Sequence, residues 1–236
     1  MSVKTLKIDG VDVAIESGST ILQAAQAHEI DIPTLCYLKG VSAVGACRLC
    51  MVEIVGASKL FAACVTQVEE GMEVIAHNPK LNDYRRMVVE LLFAEGNHIC
   101  AFCVANDNCE LQDAAVTVGM DHSRFPYRSP DRHIDMSHPL FAIDHKHCIL
   151  CTRCVRVCDE IEGAHVWDMA YRGADCQIIS GLNQPWGEVD ACTSCGKCVD
   201  ACPTGAIFRK SETTGEKVRD PQKLEFLVNA REQHEW

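Results

Sequence analysis

Residues 148–163 read CILCTRCVRVCDEIEG, and residues 192–203 read CTSCGKCVDACP. In both stretches the cysteines fall at C-x2-C-x2-C-x3-C. They are Cys148, Cys151, Cys154 and Cys158, then Cys192, Cys195, Cys198 and Cys202, with Asp159 after the first run and Pro203 after the second. Three thiolates two residues apart fit one tight loop around one inorganic cube. The fourth is carried by a helix toward a neighbouring cube, and the proline turns the chain outward. The spacing predicts two [4Fe–4S] clusters with exchanged fourth ligands: Cys148, Cys151, Cys154 and Cys202 on one, Cys192, Cys195, Cys198 and Cys158 on the other. Paired zinc sites are the competing reading. Zinc takes four ligands, usually as two C-x2-C pairs, and has no use for a third cysteine at this spacing.

Upstream lie two more sets. Cys36, Cys47, Cys50 and Cys64 are spaced C-x10-C-x2-C-x13-C. Three cysteines near one loop with a distant fourth is the order of plant-type [2Fe–2S] ferredoxins, with x10 in place of their x4. Gly45 and Ala46 keep the loop small enough for amides to approach sulfur, and zinc competes more seriously here. The third set, Cys100, Cys103 and Cys109, is one ligand short of a cubane. His98 is the nearest nitrogen donor among ten histidines. His145 and His147 compete with it, but flank a run already complete; an open iron site or a bound water is the other possibility. These sets use fifteen of sixteen cysteines and leave Cys176 alone, read as a structural thiol.

Composition supports metal over disulfides. The start, Met1–Gly10, lacks a basic segment followed by an apolar run, so no signal peptide is expected. No stretch reaches 18 apolar residues, so no membrane span is expected. Free thiols at this density in a reducing, cytoplasmic compartment call for metal. The net charge of −11 argues against nucleic acid as a partner. No G-x-G-x-x-G follows a strand and no P-loop is present, so no flavin, NAD or catalytic site is expected in this chain.

Around the cysteines the patterning is α+β. Val3–Ile8 and Val11–Ile15 read as strands joined at Asp9-Gly10, a two-residue hairpin signal. Thr20 with Gln23 forms a capping box opening a helix in a region that Pro33 ends. Met51–Val55, Lys59–Ala63 and Met72–Ile75 read as further strands. Asn78-Pro79 starts a helix, Leu81, Tyr84, Val88, Leu91 and Leu92 continue its spacing, and Gly96 sits where a C-cap belongs. A short helix is expected over Glu110–Val116 and an exposed one from Pro221 to Glu232. The expected division is 1–77, a [2Fe–2S] module; 78–118, a small helical module; 119–138, a linker; 139–210, the two-cluster module; and 211–236, a charged tail.

Val44–Cys50 (VGACRLC), Asn97–Gln112 (NHICAFCVANDNCELQ), Cys148–Gly163 and Gly181–Phe208 together resemble a known family. It is that of the diaphorase iron–sulfur subunits (HoxU type) of bidirectional NAD-reducing [NiFe] hydrogenases. These are related to the N-terminal parts of the complex I iron–sulfur subunit and of the [FeFe] hydrogenases. The resemblance covers nearly the whole chain. It implies a β-grasp [2Fe–2S] domain, a [4Fe–4S] domain in which His98 joins Cys100, Cys103 and Cys109, and a two-cluster ferredoxin-like domain: one [2Fe–2S] and three [4Fe–4S] clusters in all. One departure is that only Ile99 separates His98 from Cys100, where the broader family has three residues. The second cysteine run is complete and the chain stops soon after it, which favours the hydrogenase subunit. The implied function is an electron relay within a hetero-oligomeric enzyme. Its neighbours would be a flavin- and NAD-binding diaphorase subunit and the [NiFe] hydrogenase small subunit. The relay subunit of an NAD-linked formate dehydrogenase, a complex I-like NADH dehydrogenase subunit and a free-standing carrier are the alternatives.

Overall fold

Asp9 and Gly10 both take positive φ, 50° and 82°, and turn β1 (Val3–Ile8) back onto β2 (Val11–Glu16) with Ile8 opposite Val11. Such a turn matches the right-handed twist of the strands it joins. The computed structural model describes residues 2–128, 131–219, 224, 228 and 229. The chain divides into two compact units: Met1–Tyr37, Ala43–Glu90 and Ala114–His122, and then Leu38–Ser42, Leu91–Asp113 and Ser123–Trp236. The three expected modules are thus distributed over two units.

In the first unit, β3 (Met51–Ile54), β4 (Leu60–Ala62) and β5 (Met72–Ile75) complete a five-stranded sheet of order β2-β1-β5-β3-β4. β1 and β5 pair in parallel and the other pairs are antiparallel. Helix α1 (Ile21–Ala27) begins with the reciprocal Thr20–Gln23 capping box and buries Ile21, Leu22, Ala24 and Ala25. They pack in one core with Leu6, Ile8, Val13, Val52 and Val74. Each fully buried aliphatic side chain contributes about 1.5–3 kcal/mol. The helix stops at Ala27, with Glu29 at φ 58°, well before Pro33.

Helix α2 (Pro79–Glu95) starts as expected, with the Asn78 side chain accepting from the Leu81 amide at 2.7 Å. Its other end differs. Gly96 does not take positive φ; a Cβ there would lie 2.5 Å from His98 Nε2 and 2.8 Å from the Lys146 carbonyl. Glycine is required by close approach, not by a left-handed cap. Helix α3 (Glu110–Thr117) follows the third cysteine set.

The second unit is built around β6 (Ile134–Asp135), β7 (Phe141–Asp144) and β10 (Ile207–Arg209) in the order β10-β7-β6. Ile207 opposite Ile143 joins the two ends of the cysteine repeat. The stretch expected as a linker therefore contributes an edge strand, β6. Helix α4 (Arg153–Arg156) continues as a π-helical turn, Val157–Glu162, and α5 (Lys197–Ala201) occupies the equivalent place in the second run. Between the runs a hairpin of β8 (Trp167–Ala170) and β9 (Gln177–Ser180) is inserted. The expected exposed helix from Pro221 to Glu232 falls mostly outside the described residues. Where it is described, Leu224 and Val228 are helical and buried with Val157, Ile161 and Ala201, so the tail is not simply a solvated face. Two apolar residues four apart share one helix face. No described helix is long and apolar enough to cross a membrane.

Candidate metal centres

The two cysteine runs are held in matching loops. Leu150 (φ 54°) and Thr152 (φ 58°) in the first correspond to Ser194 (φ 58°) and Gly196 (φ 76°) in the second. Left-handed residues spaced this way turn successive amides inward and form a concavity for negative charge. Helices α4 and α5 then carry Cys158 and Cys202 away from their own loops. One cavity is lined by Cys158, Cys192, Cys195 and Cys198. Another is lined by Cys148, Cys151, Cys154 and Cys202. Each run thus lends its fourth cysteine to the other's cavity.

The donors around these sulfurs suit anionic thiolates. The Val166 amide donates to Cys158 Sγ at 3.3 Å, and the Trp186 indole N–H donates to Cys192 Sγ at 3.3 Å. Trp186 packs edge-on against Trp167 and lies beside Phe141, closing the wall of the first cavity. Burial pushes the Cys148 thiol up to about 12 and the Cys151 thiol up to about 11, with the neighbouring cysteines adding to the rise. Such sulfurs do not ionise alone; a bound cation would supply the missing charge and release their protons. Cys195 is exposed, so the cavity it lines with Cys158, Cys192 and Cys198 reaches the surface.

Cys36, Cys47, Cys50 and Cys64 also converge. The Cys36 sulfur accepts from the thiols of Cys47 and Cys64 and from the Cys47 amide at 3.5 Å, which holds it far below the usual thiol range. Cys64 is also joined to Cys50. Gly45 (φ 61°) and Arg48 (φ 57°) bend the loop around them. Arg85, buried at 3 % exposure, donates to the carbonyls of Leu49, Met51 and Ala76 at 3.2, 3.0 and 2.8 Å, pinning the backbone on both sides of Cys50.

In the third set Cys103 interacts electrostatically with both Cys100 and Cys109, and Cys109 also with Cys202. Gly205 approaches so closely that a Cβ there would lie 2.4 Å from Cys103 Sγ. His98 Nε2 is buried without a hydrogen-bond partner, while the ring bonds the Leu92 backbone. Burial, reinforced by the His147 charge, pulls the His98 pKa down to about 4, leaving a neutral ring with a bare nitrogen. His147 lies edge-on to His98, 5.9 Å between centroids. It bonds Asp144 through Nδ1 at 2.9 Å and also bonds Cys103. Reading His147 only as a flank of the next run therefore misses its contact with Cys103. No sequence signal separates the two roles, because the contact depends on how residues 96–98 fold against Lys146. His145 is buried beside His133, with Nδ1 unpartnered. Cys176 is half-buried at the start of β9 and lines neither cysteine cavity.

All sixteen cysteines are free. Among the described residues no three His, Cys, Asp or Glu side chains are drawn in to single-ion spacing. A small all-thiolate set, two four-cysteine cavities and a three-cysteine set beside a bare imidazole fit iron–sulfur clusters in chemistry. The fold and these centres define a multi-cluster iron–sulfur protein. Family models agree along the chain. A 2Fe-2S iron-sulfur cluster binding domain matches residues 3–79, the NADH-ubiquinone oxidoreductase-G iron-sulfur binding region matches 85–124, and the ferredoxin-like domain of NADH-quinone oxidoreductase subunit 3 matches 138–208. The NAD-reducing hydrogenase HoxS subunit gamma of Cupriavidus necator is 36 % identical over 211 residues, covering 89 % of this chain and 88 % of that one. A solved NAD+-reducing [NiFe]-hydrogenase in the H2-reduced state contains a chain that superposes with a TM-score of 0.83 at 33 % identity, covering 88 % of each. The NADPH-Fe(3+) oxidoreductase subunit alpha of Geobacter sulfurreducens is 38 % identical over 206 residues, but this chain spans only 24 % of its length. The chain belongs to the family of the NAD-reducing hydrogenase HoxS subunit gamma, as its resemblance to the HoxU-type diaphorase subunits implies.

Proposed function

We propose that this chain is the electron-relay subunit of an NAD-reducing hydrogenase. It links a flavin- and NAD-binding diaphorase subunit to the small subunit of a [NiFe] hydrogenase in a cytoplasmic hetero-oligomer. The observation that carries the reading is the pair of cavities with exchanged cysteines, in a chain related to HoxS subunit gamma over most of that protein's length. The residue sets are Cys36, Cys47, Cys50 and Cys64 for one [2Fe–2S] cluster, and His98, Cys100, Cys103 and Cys109 for the first [4Fe–4S]. Cys148, Cys151, Cys154 and Cys202 take the second, and Cys158, Cys192, Cys195 and Cys198 the third. When bound, these clusters supply one-electron redox chemistry. The chain's own residues set the terms of that chemistry. Amide and indole N–H groups bond the sulfurs, aromatic rings exclude water, and His98 offers a neutral ligand where the other sites offer a fourth thiolate. The bare Nε2 of His98 favours it as that ligand, with His147 bonding Cys103 from outside the set.

Hydride chemistry with NAD needs a flavin or similar cofactor to divide two electrons into single steps. The isolated chain, loaded with clusters, is therefore expected neither to oxidise NADH nor to take up H2. Adding the flavin subunit should give NADH-dependent reduction of an artificial acceptor, and adding the hydrogenase subunits should connect H2 to NAD. Steady NADH oxidation by flavin-free chain overturns the relay reading. Co-purification with a molybdenum protein in place of a nickel protein would assign the formate dehydrogenase role.

A further inference from the structure

Lys217 is fully buried, at 0 % exposure. Lysine is almost never so buried without a carboxylate, because an unpaired ammonium costs several kcal/mol to remove from water. Among the described residues its Nζ donates to two backbone carbonyls, Thr204 at 2.5 Å and Cys202 at 3.3 Å. Among the described residues it forms no ion pair. Arg153, another buried cation of this unit, meets Glu110 through two bonds of 2.7 Å. Carbonyl dipoles offset part of the cost of burying Lys217, and a full negative charge is still missing.

The position of Lys217 indicates where that charge lies. The Lys217 amide donates to the Val104 carbonyl at 2.9 Å, and the Gly215 amide donates to the Cys103 carbonyl at 3.1 Å. The 215–217 turn therefore clasps the loop after Cys103, while its ammonium clasps the loop after Cys202. Cys103 lies against the same loop: a Cβ on Gly205, which follows the Thr204 carbonyl that accepts from Lys217, would lie 2.4 Å from Cys103 Sγ.

We propose that Lys217 is the fixed counter-ion shared by two clusters, those that Cys103 and Cys202 ligate, and that it raises the reduction potential of both. The proposal rests on the ligand sets given above. A cysteinate cluster is anionic and becomes more so on reduction, so a nearby cation in a low-dielectric interior favours the reduced form. Tied to main-chain carbonyls, the ammonium has no second position. It therefore biases both clusters in the same direction.

The test uses the full chain with its clusters reconstituted anaerobically, and the variants Lys217→Gln, Lys217→Met and Lys217→Arg. Iron content and EPR signals come first. Failure of the parent chain to show three [4Fe–4S] signals refutes the ligand sets, independently of Lys217. EPR-monitored redox titration then reads the potentials. The glutamine keeps a donor for the two carbonyls and removes the charge. With Gln or Met, both adjacent clusters should shift at least tenfold toward the oxidised form at fixed potential, 59 mV for a one-electron couple, with the [2Fe–2S] cluster unmoved. Unchanged potentials with all clusters present overturn the proposal, as does an equal shift of the [2Fe–2S] cluster. Should both neutral variants fail to take up the two clusters, uptake by Lys217→Arg supports the need for charge. Failure of Lys217→Arg as well assigns Lys217 a steric role and overturns it.

Discussion

Arg85→Met should loosen the [2Fe–2S] site and leave the three [4Fe–4S] clusters alone. Arg85 donates to three carbonyls, and two of them, Leu49 and Met51, bracket Cys50. The substitution fills similar volume with an apolar chain and leaves three buried acceptors without a donor. Each orphaned acceptor costs about 1–3 kcal/mol. Against this stands the cost of burying the guanidinium, which shows as an Arg85 pKa lowered by burial. Setting the two against each other leaves a net loss of about 3 kcal/mol, or roughly a hundredfold easier opening of the Cys47–Cys50 loop at 1.4 kcal/mol per factor of ten. The assay is iron release to a chelator, followed through the visible circular dichroism of the [2Fe–2S] chromophore. The expected result is a rate about a hundredfold above the parent at unchanged [4Fe–4S] absorbance. A loaded variant that bleaches within twofold of the parent rate would show that the Cys50 loop does not depend on Arg85.

The anaerobically reconstituted chain should hold about 14 iron atoms, as one [2Fe–2S] and three [4Fe–4S] clusters. Cys176→Ser should keep all of them; loss of any cluster signal, or stoichiometric zinc, refutes the ligand sets. His98→Ala should remove or convert one [4Fe–4S] signal, and His147→Ala should shift a potential at constant iron content. The reverse pattern would make His147 the ligand. Glu110→Gln strips the buried Arg153 of its carboxylate and weakens the Arg219 contact. It should destabilise the region by about 3 kcal/mol, read as earlier loss of [4Fe–4S] absorbance in a denaturant series, and an unchanged midpoint would refute it.

What was legible in the sequence is what local chemistry determines. Asp9-Gly10 demands a hairpin, Thr20 with Gln23 and Asn78-Pro79 start helices, and the two cysteine runs declare their exchange. What was not legible depends on distant partners. β6 is two residues long and forms only because Ile134 and Asp135 meet Asp144 and Ile143. The β8–β9 hairpin has no Gly-containing two-residue turn to announce it; six residues, Tyr171–Cys176, join its strands. Gly96 looks like a helix cap in sequence, and its close approach to Lys146 is visible only in three dimensions. Lys217 sits in a charged tail and reads as solvated until the loops after Cys103 and Cys202 are seen to close over it. In the third set the cysteine spacing stands out in the sequence, but the edge-on packing of His98 against His147 does not.

The matched left-handed residues of the two runs bear on what the cavities are for. Leu150, Thr152 and Ser194 are not glycine, and each holds a backbone state that costs about 1 kcal/mol for a residue with a Cβ. Local sequence preference does not ask for it, since only Gly196 fits the state freely. Strain repeated at the same offset in two loops, and offset by no hydrogen-bonded ladder, must be repaid by what the loops surround. Turned inward, amides of the first loop face Cys148 and Cys151, whose thiols burial pushes up, so without a cation that loop lacks the anion it is shaped for. Bound iron would ionise the thiols, and the cluster would present anionic sulfur to those N–H groups. On this argument the loops are strained in advance for their clusters. With Cys158 and Cys202 exchanged between the cavities, each cluster would brace the other's loop, so substituting a cysteine of one cavity should loosen both.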